Sequence, residues 1–247
     1  LPLAERLPIS DRKYGLHRVA TRFLRGVQRG PGRDHASWRI IFDESLQARL
    51  LAPELRLACH DPLEEYAAAV RDVPAGREAI LGPLHADTAY YLPNDMLVKV
   101  DRMSMAHGLE VRVPFLDVQM VAYAANLAGR HKLKGFAGRK HILRESLRSS
   151  IPATVLALPK SGFNAPIESW LRGPLRDLLL DTAAAVRHDL ESLIRVSELE
   201  RVVEEHRTRR ADHAHALFTT LMLALWLQNR QQAWRGRQDV IASSRAD

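Results

Sequence analysis

The chain has 247 residues, 46% of them hydrophobic, a single cysteine and a formal net charge of +7. That apolar content suffices for a core in one or two domains, and one cysteine excludes a disulfide framework. The positive charge invites a nucleic-acid reading that the pattern excludes. Arginines such as Arg207, Arg209 and Arg210 are interleaved with acids at helical i,i+4 spacing, and zinc spacing, an aromatic-glycine RNA signature and a helix-turn-helix are all missing. His213 and His215 have no third ligand at useful spacing, so they read as helix-lining and no metal site is expected. Leu1–Ser10 lacks the apolar stretch of a secretory signal, and the longest apolar run, Ala216–Leu227, is interrupted by Thr219 and Thr220 and too short for a bilayer. A cytoplasmic protein with no membrane partner is the expectation.

In chain order the periodicity predicts helices nearly everywhere. Ser10 and Asp11 cap an amphipathic helix to about Val27, with Leu16, Val19, Ala20, Phe23 and Leu24 on one side, and Gly30-Pro31-Gly32 breaks it. A second helix starts near Asp34 with Trp38, Ile41 and Phe42 pointing inward. Cys59 reads as a small buried hydrophobe. Pro62 opens a helix through Val70 to Val73, ended by Pro74 and Gly76, and Arg77–Tyr91 leads to the most charged apolar segment of the chain.

In that segment Pro93 and Asn94 suit a helix start, and no breaker intervenes before Gly108. At 100° per residue, Asp95, Lys99 and Arg102 share one face. Met96, Val100, Met103 and His107 form a neighbouring stripe that reads as the core face, while Asp101 points elsewhere, beside Leu97 and Met105. Glu110 and Arg112 then alternate with Val111 and Val113, the best strand signal present, before Pro114 imposes an extended exit. Burying an unpaired charge costs several kcal/mol, roughly, after relaxation. Two readings therefore stay open: a buried helix with structural ion pairs, or a charged cluster that holds a charged ligand.

Further on, Asp117 caps a short helix bearing Val118, Val121, Ala122 and Ala125, followed by a turn at Gly129. Arg139–Ser149 is helical, and Pro152 starts another turn. Pro174 begins a leucine-rich helix through Ala185, and two more cover about Ser197–Arg209 and His213–Arg230. The stretch from Gly236 is small and polar and is expected to fray.

Three ordered blocks carry a resemblance. LPNDMLVKVDRMSMAHGLEVRVPFLD (Leu92–Asp117), GRKHILRESLRSSIP (Gly138–Pro152) and LPKSGFNAPIESWLR (Leu158–Arg172) are similar to the signature, the following helix and the Lys-Gly-Phe loop of the glutamine-hydrolysing asparagine synthetases. The resemblance implies a mostly α chain: the helical C-terminal portion, residues 1–235, of an α/β ATP-pyrophosphatase-type (adenine nucleotide α-hydrolase-like) synthetase domain; 236–247, by its composition, is expected to be a disordered tail. It implies that ATP with Mg2+ adenylates the side-chain carboxylate of aspartate, and that glutamine-derived ammonia attacks the acyl-adenylate. By the same resemblance Lys160 is the catalytic loop lysine that stabilises charge at the α-phosphate and departing pyrophosphate. The resemblance also implies that the helix bearing Asp95, Lys99, Asp101 and Arg102 borders the acyl-acceptor pocket, with the charge that faces the ligand left open, whereas Glu110 and Arg112 read as a structural clamp on the loop before Pro114.

The family's phosphate loop, Ser-Gly-Gly-x-Asp-Ser, does not occur, and the glycine-dense run Gly26–Gly32 has the wrong residues for it. The family's glutaminase domain begins with a nucleophilic cysteine, whereas Cys59 is far from Leu1. The chain thus reads as a C-terminal portion whose partner is the missing N-terminal half of the same protein; a homodimer is left open. Such a portion should be inactive alone and should leave several apolar faces under-covered. Two alternatives accompany this reading: a related amide-forming synthetase of the β-lactam or peptide-cyclase type, and a non-catalytic helical interaction module.

Overall fold

The structure is a computed structural model that describes residues 20, 23–24, 26–30, 32–58, 61–74, 76, 78–135, 138–158 and 165–243. Helices dominate it, as the periodicity requires. Residues 20, 23, 24, 26 and 27 are helical, whereas the capped start expected at Ser10 lies outside the described residues. The helix expected from Asp34 is interrupted. α1 covers Arg33–Ser37, the chain unwinds, and α2 restarts at Glu44–Leu50 because Asp43 Oδ1 accepts the Leu46 N–H at 2.9 Å. Trp38 and Ile41, read as inward, sit in the unwound link and are exposed; Phe42 alone of the three packs on a core. α3 (Pro53–Ala58) follows, and Cys59 lies outside the described residues. α4 (Pro62–Arg71) starts where Asp61 accepts the Leu63 N–H at 2.9 Å.

The largest correction concerns Pro93, which does not start a helix. α5 (Leu81–Ala86) runs straight into a π-helical segment, Asp87–Leu97, and then into α6 (Val98–Met105), leaving Pro93 inside. In α geometry a proline ring clashes with the carbonyl four residues back and removes a bond. The wider π turn bonds to the fifth residue back, as the Val98 N–H does to Pro93 O, and Asn94 Nδ2 donates to Tyr90 O at 2.8 Å. The end of α6 follows the sequence reading. Gly108 takes φ +65°, its N–H meets Met105 O, and the Leu109 N–H meets Ser104 O, both at 3.0 Å, which is the left-handed closure that glycine permits.

Residues 110–113, read as the best strand, form none, since a strand exists only beside a partner and no described residue pairs with them. After a 3-10 turn at Pro114–Leu116 comes α7 (Val118–Asn126), capped as expected by Asp117 Oδ1, which accepts from the Gln119 and Met120 N–H groups at 3.0 and 3.1 Å. α8 (Gly129–Lys132) leads into the antiparallel pair β1 (Leu133–Lys134) and β2 (Gly138–Arg139), with Lys134 opposite Gly138. Then follow α9 (His141–Ser146), α10 (Ala153–Leu156), α11 (Ile167–Trp170), α12 (Pro174–Ala185), α13 (Arg187–Glu191), α14 (Val196–Arg207) and α15 (Ala214–Ser243).

The chain divides into two compact units. One comprises Leu1–Gln28, Trp38–His60 and Asn164–Asp247; the other comprises Arg29–Ser37 and Asp61–Phe163. In the first, Leu179 of α12, Leu190 of α13, Leu199 and Val202 of α14, and Leu217 and Ala224 of α15 pack into one cluster with Leu50 of α2. The i,i+3 and i,i+4 spacings on α14 and α15 put these residues on one face each. Reciprocal backbone bonds, Ala52 N–H to Leu193 O at 2.9 Å and Arg195 N–H to Leu50 O at 2.7 Å, tie the α2 end to the turn before α14. Arg49 adds a bidentate pair to Glu205 at 2.8 and 3.1 Å. In the second unit α4 and α5 approach closely at Gly82, where any Cβ would lie 2.9 Å from Val70 O and Val70 Cγ1.

Candidate functional site

The signature segment belongs entirely to the second unit, and its charges are surface charges. Lys99 Nζ lies 3.4 Å from Asp95 Oδ1, the i,i+4 contact that the spacing anticipated, although Asp95 stands on the π segment and Lys99 on α6. Asp101 and Arg102 follow on α6, both exposed; the Asp101 carbonyl accepts from Ser104 Oγ at 3.1 Å. Arg112 Nε donates to Glu110 Oε1 at 2.7 Å across one intervening valine, also in the open. Lys160, with Pro159, Gly162 and Phe163, lies outside the described residues, so the structure brings Asp95 and Lys99 together and pairs Glu110 with Arg112.

The stripe read as the core face is not buried. Met96, Val100 and Met103 are exposed, Met103 by 63%, and His107 with them. Leu109, Val111, Phe115, Val118 and Met120 extend the apolar surface through the 3-10 turn onto α7. Amphipathic spacing was correctly read as an apolar face, but burial needs a covering element, and among the described residues none lies over it. The expectation of under-covered apolar faces therefore holds at this segment.

At the start of the π segment the structure gathers side chains that the sequence did not single out. Asp87 accepts from the Tyr66 hydroxyl and stands 3.4 Å from His35 Nε2, and the Tyr66 ring meets Tyr90 edge-on at 5.8 Å. The Tyr90 hydroxyl donates to Glu65 Oε2 at 3.0 Å, and that bond, aided by burial, holds the phenol above its ordinary pKa. These residues come from α1, α4 and the π segment, so no local pattern links them. The arrangement pins the π segment to α4. Among the described residues no group of three or more His, Cys, Asp or Glu is placed to hold a metal ion, and no helix is long and apolar enough to cross a membrane.

What this arrangement defines first is a class: a mostly helical chain that presents a charged helix, a glycine-closed end and a capped following helix at its surface. The asparagine synthase family model matches residues 13–228, and the chain belongs to that family. A Mycobacterium tuberculosis protein provisionally named as an asparagine synthetase (glutamine-hydrolysing) is 37% identical over 154 residues, covering 62% of this chain and 23% of that protein. Asparagine synthetase (glutamine-hydrolysing) 1 of Bacillus subtilis is 29% identical over 142 residues, covering 58% of this chain and 22% of its own length. The human asparagine synthetase (glutamine-hydrolysing) is 39% identical over 75 residues, 30% of this chain and 13% of that protein. The chain thus spans under a quarter of the length of these curated relatives. No solved structure matches it.

Proposed function

We propose that the chain is the helical C-terminal part of an ATP-dependent, AMP-forming asparagine synthetase, a ligase that works together with the remainder of its polypeptide. The observation that carries this reading is the signature segment itself, with charges on its surface and an uncovered apolar flank from Met96 to Met120. Such a flank calls for a cover, and in a longer synthetase that cover is the nucleotide-binding sheet of an α/β ATP-pyrophosphatase-type domain, with its phosphate loop.

In the reaction, the side-chain carboxylate of aspartate attacks the α-phosphorus of ATP, and the bond to pyrophosphate breaks. Ammonia derived from glutamine then attacks the acyl carbon, AMP leaves, and one proton is lost to a base. Both reactants of the first step are anions, so fixed positive charge must face the developing phosphate charge; Lys160 is assigned that role. Asp95, Lys99, Asp101 and Arg102 border the acceptor pocket, where a base holds the substrate carboxylate and an acid orients ammonia. Glu110 and Arg112 hold the turn before Pro114. Mg2+ enters on the triphosphate, whose charge it neutralises.

Lys160→Ala in the longer protein that contains this chain is the direct test. Pyrophosphate release from ATP and aspartate should fall about 10²–10³-fold, the loss typical of one charge-stabilising donor. Unchanged release would overturn the assignment. The 247-residue chain alone should form no AMP from ATP, aspartate and ammonia; AMP formation by it would show that the cover is dispensable.

A further inference from the structure

The positive charge of this chain is gathered in one place. Residues 129–148 hold seven lysines and arginines against one glutamate, a local balance of +6, where the whole chain nets +7. Elsewhere the arginines meet acids: Arg49 pairs with Glu205, Arg187 with Glu191, Arg201 with Glu198 and Arg207 with Glu204. On α8, the β1–β2 pair and α9 that habit lapses. Arg130, Lys134, Arg139, Lys140, Arg144 and Arg148 are all exposed, and of these six only Arg148 has a carboxylate partner among the described residues, Glu145 at 2.7 Å. Like charges gathered on one small scaffold repel, and a polyanion laid across them relieves that repulsion.

The backbone commits Lys140 to this array. It takes φ 56° and ψ 41°, the left-handed region in which a Cβ is penalised and glycine is at ease. Residues held there against their preference cluster at ligand clamps. The Lys140 carbonyl accepts the Arg144 N–H at 3.0 Å, which fixes the lysine to the start of α9. Beside α9 lies an open groove of about 440 Å3, lined by Arg144, Glu145 and Arg148 and by Ala153, Leu156 and Ala157 at α10. The Arg144 guanidinium donates to the Leu156 carbonyl and so ties the charged side of the groove to the apolar one.

We propose that this ridge and groove are a docking surface for an acidic amphipathic helix of a partner protein. Its carboxylates lie on Lys140, Arg144 and Arg148, and its apolar side chains enter over Ala153, Leu156 and Ala157. Charge complementarity selects an anion, and the interval agrees, because the three cations recur at every fourth position, the spacing of neighbouring side chains on one helix face. The apolar lining selects a protein. A nucleic-acid backbone would satisfy the cations and leave Ala153, Leu156 and Ala157 without contacts. Among the described residues 129–135 and 138–158, no Phe, Tyr or Trp offers bases a stacking surface. An acidic helix supplies both halves, in the manner of helix-in-groove recognition. None of these residues has a part in the adenylation scheme, so the surface stands or falls apart from the synthetase reading.

The test measures binding of the 247-residue chain, by fluorescence anisotropy, to a labelled synthetic helix with glutamate at every fourth position and leucine on the adjoining face. Binding should be saturable and should weaken several-fold as salt rises from about 0.05 to about 0.5 M. Lys140→Gly relieves the left-handed strain and leaves the fold intact by circular dichroism, yet should weaken binding about two- to fivefold, as expected for one exposed charge. Lys140→Gly with Arg148→Glu should weaken it at least about tenfold. Replacing the leucines by serine should also weaken binding. Failure of the labelled helix to bind, or binding that survives the double variant, would overturn the proposal. So would equal binding of the serine version, which would leave the groove without a role. Tighter binding of a single-stranded DNA of equal charge would make the ridge a nucleic-acid surface instead. Binding by this chain but not by the longer protein that contains it would show that the rest of the polypeptide covers the surface, and would rule out a separate partner.

Discussion

Two amphipathic helices in this chain have opposite fates. On α14, Leu199 and Val202 are both fully buried among α12, α13 and α15. On the signature helix, Val100 and Met103 occupy the same kind of spacing and stay exposed. Periodicity selects which face of a helix is apolar; only the presence of a neighbour decides whether that face is buried. The first unit supplies its own neighbours, and the signature segment does not.

Substitutions can break or sharpen that contrast. The largest effect belongs to Leu199→Ala, which should destabilise the chain by about 2–5 kcal/mol in chemical denaturation followed by circular dichroism. Met103→Ala, by the same measurement, should stay within about 0.5 kcal/mol of the parent. Equal losses would mean that the signature face is covered in solution, and the contrast would fail.

An intermediate effect is expected at the ion pair that buttresses α14. The hydrogen bonds from Arg49 hold the Glu205 carboxyl below its ordinary pKa against the opposing influence of burial, with His213 assisting. A carboxyl depressed in the folded state stabilises it above the unfolded glutamate value, near ~4.3, and that stabilisation is lost as the pH falls through the folded value. Arg49→Met should cost about 1 kcal/mol at pH 7 and flatten the acid limb of stability below pH ~4.3. An unaltered acid limb would remove the pair from any role in holding α2 to α14.

The smallest effect should come from the signature pair. Lys99→Ala removes an exposed i,i+4 contact at 3.4 Å and should shift stability by under about 0.5 kcal/mol. A larger loss would show that this helix, too, relies on its charges for folding in the chain as it stands.

How much was legible in the sequence varies with the range of the cause. Local chemistry was read correctly: Asp117 capping α7, Gly108 closing α6, Pro62 opening α4, and Pro174 to Ala185 as a helix. Pro93 misled because the penalty it carries applies to α geometry, and a π segment evades it. Glu110–Val113 misled because alternation says what a strand would look like and nothing about whether a partner lies beside it. Trp38 and Ile41 misled because the Asp43 cap restarts the helix and strands them in a link. At the candidate site the Asp95–Lys99 contact was legible from spacing, while the Asp87, Tyr66 and His35 grouping, spread over more than fifty positions, was not. Buried His206 carried no local signal either, since the Glu168 carbonyl that its Nε2 meets sits thirty-eight residues upstream and the His213 N–H that its Nδ1 accepts seven downstream.

The π segment also fixes an angle. Each of its turns closes one residue later than an α turn, so removing one residue between Asp87 and Leu97 would rotate everything downstream by about 100° about the helix axis. Lys99 and Arg102 would then face a different direction relative to Gly82 and Ala86, while every residue type stayed the same. The widened coil therefore acts as a phase setter, and a one-residue deletion there would misdirect the signature charges as thoroughly as replacing them.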